Sequence, residues 1–98
     1  MISVRLTSRA SNDLAKVLDW YDANAPHVKA RFLDEYDTLT ERLIENPHQF
    51  PRVRGEAWRA GFRDFPYGLF YRIKVDEVEV FACLHAKRDP RHWQHRTQ

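Results

Sequence analysis

The chain opens on a short alternation. Ile2, Val4 and Leu6 are apolar while Ser3, Arg5 and Thr7 are polar, the period-two pattern of a strand with one covered face. At Thr7 or Ser8 the pattern changes, and a hydroxyl at either position can cap a helix by accepting a bond from an otherwise unpaired backbone N–H. Leu14, Val17, Leu18 and Tyr21 then recur at helical spacing, which predicts a first helix with one apolar stripe. Asn24-Ala25-Pro26 interrupts it, and Pro26 suits the first turn of a second helix, where its missing N–H would go unbonded anyway. Val28, Phe32, Tyr36, Leu39 and Leu43 form the second stripe, widened by Leu33 and Ile44, and Asn46-Pro47 ends it. So short a join predicts an antiparallel helical hairpin. The polar faces, carrying Asp13, Asp19, Asp34, Asp37 and Glu41, read as solvated.

HQFPRVRGEA then reads as a loop, followed by three strand-like runs at 58–65, 69–75 and 78–85. Pro66 and Gly68 supply turn chemistry for the first connection, and Asp76-Glu77 makes the second a tight hairpin. One parity of these runs holds Trp58, Ala60, Phe62, Leu69, Tyr71, Ile73, Val78, Val80, Ala82 and Leu84. The other holds Arg59, Arg63, Phe70, Arg72, Lys74, Glu79, Phe81, Cys83 and His85. A pleated strand sends the two sets to opposite faces, so one face should lie apolar against the helices. The other should be mostly basic, with nothing left in the chain to cover it, and is the candidate functional surface. The predicted class is α+β, in the order β-α-α-β-β-β, an antiparallel sheet with the N-terminal helical hairpin packed on one face.

Length and charge sharpen this picture. At 98 residues the chain is one domain, 1–98, with a single modest core, and it has no repeat or linker-like stretch. The lone Cys83 cannot form an internal disulfide, which fits a reducing cytoplasm. The first residues contain no apolar leader, and no run approaches the roughly 18 apolar residues of a membrane span. A cytoplasmic protein with no membrane partner is expected. The net charge of +2 hides an asymmetry: residues 1–51 carry net −2 and residues 52–98 net +4. The basic, aromatic-rich half points to an anionic partner, or else to a solvated basic surface.

With that element order in place, the sequence resembles the RelE/ParE superfamily of type II toxin–antitoxin toxins, and within it ParE-like, plasmid-stabilisation members. The carriers are FPYGLFYRI from Phe65 to Ile73 and VEVFACLHAKRDPRHW from Val78 to Trp93, with His-x-x-Arg-Asp-Pro-x-x-Trp inside the second. The resemblance spans nearly the whole chain. It implies a growth-inhibiting toxin held silent, in a hetero-oligomer, by an antitoxin encoded beside it. Members either cut messenger RNA on the ribosome, as RelE does, or poison DNA gyrase, as ParE does. Whether the chain is an enzyme depends on which of these it follows.

For cleavage, His85 could serve as acid or base, with Arg59, Arg63 and Arg88 as phosphate-holding cations. Trp93 or Tyr67 could stack on a base. The chain departs from the nuclease pattern at two positions, where Gly68 and Gly61 replace an expected arginine and lysine. Trp93 and Gln94 stand where RelE ends on a tyrosine. These departures turn the expectation toward gyrase poisoning, with Arg72, Lys87, Arg88, Arg91 and Trp93 as target-recognition residues. Trp20, Tyr21, Arg59, Arg63 and Arg72 are the expected antitoxin contacts. His92 and His95, with His85, have zinc-like spacing but no completing ligands, so neither metal nor cofactor is expected. A degenerate, non-toxic module that only binds antitoxin is the alternative the two glycines keep open.

Overall fold

The structure, a computed structural model, describes residues 2–87. Its elements are β1 (Ser3–Leu6), α1 (Ser8–Asn24), α2 (Pro26–Glu45), a 3-10 turn (Pro47–Gln49), β2 (Arg52–Arg54), β3 (Ala57–Gly61), β4 (Tyr67–Ile73) and β5 (Glu77–His85). Thr7 is the residue that caps α1: its backbone is extended and its hydroxyl accepts from the Ala10 N–H at 3.2 Å. Ala25 alone joins the two helices, and Pro26 occupies the first position of α2. Asn46 closes α2 and turns its side chain to accept from the His48 N–H at 3.0 Å.

The sheet has five strands in the order β1-β5-β4-β3-β2. β3, β4 and β5 form the expected antiparallel meander. β1, however, pairs parallel with β5, Ser3 opposite Glu77 and Leu6 opposite Val80, so the sheet is mixed. A parallel neighbour requires a long crossover, and here the helical hairpin and three strands supply it. The expected loop at 48–57 contains β2, three exposed residues joined irregularly to β3, too short to leave a periodic signal. The α+β class and the helical hairpin stand as expected.

The core lies between the hairpin and one sheet face. Ala10, Val17 and Tyr21 of α1 and Phe32, Leu39 and Leu43 of α2 bury against Ala60, Leu69, Tyr71, Val78, Val80 and Cys83. Phe32 is its centre: fully buried, it stacks on Phe62 at 4.6 Å and meets Tyr21, Phe65 and Tyr67 edge-on or tilted within 6.0 Å. Leu33 and Ile44 do not widen the stripe; they are exposed on the outer side of α2. Tyr71, also fully buried, donates its hydroxyl to the Pro47 carbonyl at 2.6 Å, tying β4 to the turn after α2. Burial drives the Tyr71 pKa well above that of a free phenol, so it remains a donor. Tyr71→Phe should strand that carbonyl and cost about 1–2 kcal/mol, read as a lower urea midpoint at unchanged slope. An unchanged midpoint would show that the bond contributes nothing net.

Candidate functional site

β4 and β5 pair in step from Tyr67–His85 to Phe70–Ala82, and again from Tyr71–Val80 to Ile73–Val78. Phe81 is therefore an extra residue in β5, a bulge that reverses the parity of everything after it. Val80 still faces the helices, Phe81 and Ala82 both turn to the far side, and Cys83 returns to the helix-side core. This corrects the expected alternation: Ala82 and Leu84 lie on the face away from the helices, and Cys83 and His85 on the face toward them. The far face is not an uncovered basic plane either. Ala57, Phe70, Phe81, Ala82 and Leu84 form a second, buried apolar cluster there, with Phe81 only 1% exposed.

His85 is thus carried beside α1. Its ring meets Tyr67 edge-on at 5.3 Å, in a groove of about 280 Å³ lined also by Asp13, Lys16, Trp20 and Cys83. Its Nδ1 accepts from the Lys87 N–H at 3.1 Å, so the neutral ring carries its proton on Nε2. Asp13, expected to be solvated, accepts from the Cys83 N–H at 3.1 Å. β1 pairs with β5 only as far as Val80, and the carboxylate takes the place of a strand partner for an edge amide beyond that point. Burial, and secondarily the Asp13 charge, push the Cys83 thiol up to about 12, which leaves it a buried filler rather than a nucleophile.

On the far face the register sets a charged cluster. Arg5 on β1 and Arg72 on β4 are both opposite Glu79 on β5, so one carboxylate is flanked from two strands. Arg72 donates to it at 2.6 Å, Lys74 at 3.2 Å, and Arg5 also reaches it while pairing with Glu77 at 3.0 Å. Burial alone would raise the Glu79 pKa, but hydrogen bonds from Arg72, Lys74 and Arg5 outweigh it and hold the carboxyl at about 2.

Arg59 is placed differently. β3 and β4 bring Gly61 opposite Gly68, and the Arg59 guanidinium lies across both. A Cβ at Gly61 would come within 2.7 Å of its Nη1, and one at Gly68 within 2.7 Å of its Nε. The glycines that break the nuclease pattern therefore form a trough that this side chain fills. The guanidinium also sits 5.9 Å from the Phe70 ring.

Arg63 does not join Arg59 and Arg72. It lies past the end of β3, where Glu35 of α2 accepts from the backbone N–H of Arg63 and, at 3.0 Å, of Asp64. There it lines a cleft of about 390 Å³ with Arg31, Asp34, Thr38 and Arg42 of α2. Of the expected antitoxin contacts, Trp20 is 55% exposed, whereas Tyr21 is buried in the core beneath it. Lys87 is exposed at the turn after β5. Arg88, Arg91 and Trp93, and with them His92 and His95, lie outside the described residues. Among the described residues no cluster of three or more His, Cys, Asp or Glu is placed to hold a metal. Among them, too, no helix is long and apolar enough to cross a membrane. The structural roles of Asp13 and Glu35 left no signal in the sequence, because each depends on a backbone amide that the fold brings to it from a distant part of the chain.

Residues 4–90 match the family model described as the ParE toxin of the type II toxin–antitoxin system parDE. The same fold is found in several solved structures. A chain from the chromosomal ParDE system of P. aeruginosa matches with a TM-score of 0.74 at 18% identity, over 87% of this chain and 96% of that one. The YoeB/ParE toxin from Agrobacterium tumefaciens matches with a TM-score of 0.59 at 14% identity, over 85% and 96%. A chain of the RelBE2 toxin–antitoxin complex from Mycobacterium tuberculosis gives 0.56 at 22% identity, over 85% and 95%. No curated protein shows a significant match.

Proposed function

Because the chain belongs to the ParE toxin family of type II toxin–antitoxin systems, we propose that it arrests growth in the cytoplasm by poisoning DNA gyrase, and that a cognate antitoxin silences it in a hetero-oligomer. The observation that carries the choice of target is the separation of His85 from the arginines. Cutting RNA requires a base at the 2′-OH, cations around the phosphate and an acid at the departing 5′-oxygen, all within reach of one scissile bond. His85 lies in the groove beside α1, while Arg59 lies over its glycine trough on the other side of the sheet. Arg72 is engaged by Glu79, and Arg63 is at the α2 cleft. That arrangement favours recognition over bond cleavage.

A poison makes and breaks no bond itself; it needs a surface that holds its target in one state. Lys87, Arg88, Arg91 and Trp93 have the chemistry for such a surface, since Arg and Trp carry disproportionate interface energy. The reading calls on no cofactor.

The purified chain should block supercoiling by isolated gyrase and leave gyrase-dependent breaks in plasmid DNA, while messenger RNA on translating ribosomes stays whole. Cut transcripts with gyrase untouched would replace this reading with the nuclease one. Absence of growth arrest on induction would leave only an antitoxin-binding module.

A further inference from the structure

Two arginines of the far face differ in one respect. Arg72 has a carboxylate, Glu79, directly across the β4–β5 pair. Arg59, half-buried on the neighbouring strand, has no hydrogen-bond acceptor on its guanidinium among the described residues. Removing a guanidinium from water without giving it an acceptor is costly, and a bound anion relieves that cost. The side chain is also pre-set. It lies along the Gly61–Gly68 trough against Phe70, so little rotamer freedom remains to be lost when a partner docks.

We infer that Arg59 is an anchor for one carboxylate of the bound antitoxin, and that the Gly61–Gly68 trough is the device that presents it. This rests on the toxin–antitoxin reading above. The surroundings favour a polypeptide carboxylate over a nucleic-acid backbone. A phosphate backbone is gripped by a row of uncommitted cations. Here the neighbouring cations Arg5, Arg72 and Lys74 already converge on Glu79. Among the described residues, the half-buried Arg59 guanidinium is a planar donor set directly against an apolar cluster, the complement of an acidic side chain flanked by apolar ones.

The trough makes the proposal specific. A methyl at Gly68 would collide with the movable guanidinium rather than with backbone, so Gly68→Ala should displace Arg59 while the sheet persists. The test uses the full-length toxin and the antitoxin encoded beside its gene, with affinities from titration calorimetry and folding checked by thermal melting. Arg59→Gln should weaken binding about tenfold or more, Gly68→Ala should do the same with Arg59 intact, and Arg59→Lys should recover only part. Each acidic residue of the antitoxin is then neutralised in both backgrounds. The partner is the one whose effect in wild-type toxin vanishes in Arg59→Gln. Unchanged affinity in Arg59→Gln and Gly68→Ala overturns the inference. So does loss of growth inhibition in these variants with antitoxin affinity intact, which would direct Arg59 to the target. Failure of the wild-type toxin to bind any such antitoxin would instead overturn the reading beneath it.

Discussion

Phe32→Ala should take about 3–5 kcal/mol from the stability of this domain, a large part of the about 5–15 kcal/mol that natural domains hold. Phe32 is the contact through which α2, the end of β3, the β3–β4 turn and β4 are packed together, via Phe62, Phe65 and Tyr67. Truncation removes a fully buried ring and leaves a hole that four aromatic neighbours cannot all close. The melting temperature should fall by roughly 12 °C or more, at about 4–8 °C per kcal/mol for a chain of this size. Phe32→Leu, which keeps most of the volume, should lose less. The loss should reach the groove as well, because Tyr67 packs nearly perpendicular to both Phe32 and His85. A loss in Phe32→Ala below about 1 kcal/mol, the level of an average substitution, would mean that the aromatic cluster is not the centre of the core.

The second large effect belongs to Glu79. Its carboxyl is held at about 2 against an ordinary 4.5, so folding favours the ionised form. The sign follows directly. Above about pH 4.5 the stabilisation is present in full, and it drains away as the pH falls toward 2 and the group takes up a proton. At roughly 1.4 kcal/mol per unit of pKa, the depression corresponds to about 3 kcal/mol. Glu79→Gln should therefore lower neutral-pH stability by about that amount, leaving Arg72 and Lys74 facing Arg5 with the central charge gone. The variant should also lose the steepest part of the acid-induced fall in stability between pH 4.5 and 2. Chemical denaturation of both proteins across that window decides the matter. Parallel pH profiles would show that the cluster is a surface ornament. Because the cluster also commits Arg72, the same substitution tests how far this arginine is removed from partner recognition.

Much of this architecture can be read from the chain. Thr7, Pro26 and Asn46-Pro47 mark the helix boundaries because capping and proline chemistry are local. The stripes from Leu14 to Tyr21 and from Val28 to Leu43 identify the helix faces, because burial repeats with the helical period. The period-two runs establish four of the five strands for the same reason. Pairing is another matter. Nothing in Ser3–Leu6 says that its neighbour will be β5 or that the two will run parallel, since alternation records a buried face and not a partner.

The bulge at Phe81 is the decisive case. One unpaired residue turns His85 from the arginine face to the helix groove, and the apolar run Val78–Leu84 reads the same with or without it. Likewise Gly61 and Gly68 look in the sequence like two missing cations. Only their placement opposite each other, under the Arg59 side chain, makes them a trough. Composition and periodicity, then, determined an α+β domain with an aromatic core and a cationic second half, and the motifs between Phe65 and Trp93 carried its resemblance to a toxin family. Which charges meet and which face each titratable side chain occupies were decided by strand register, a long-range property that short-range patterns do not encode.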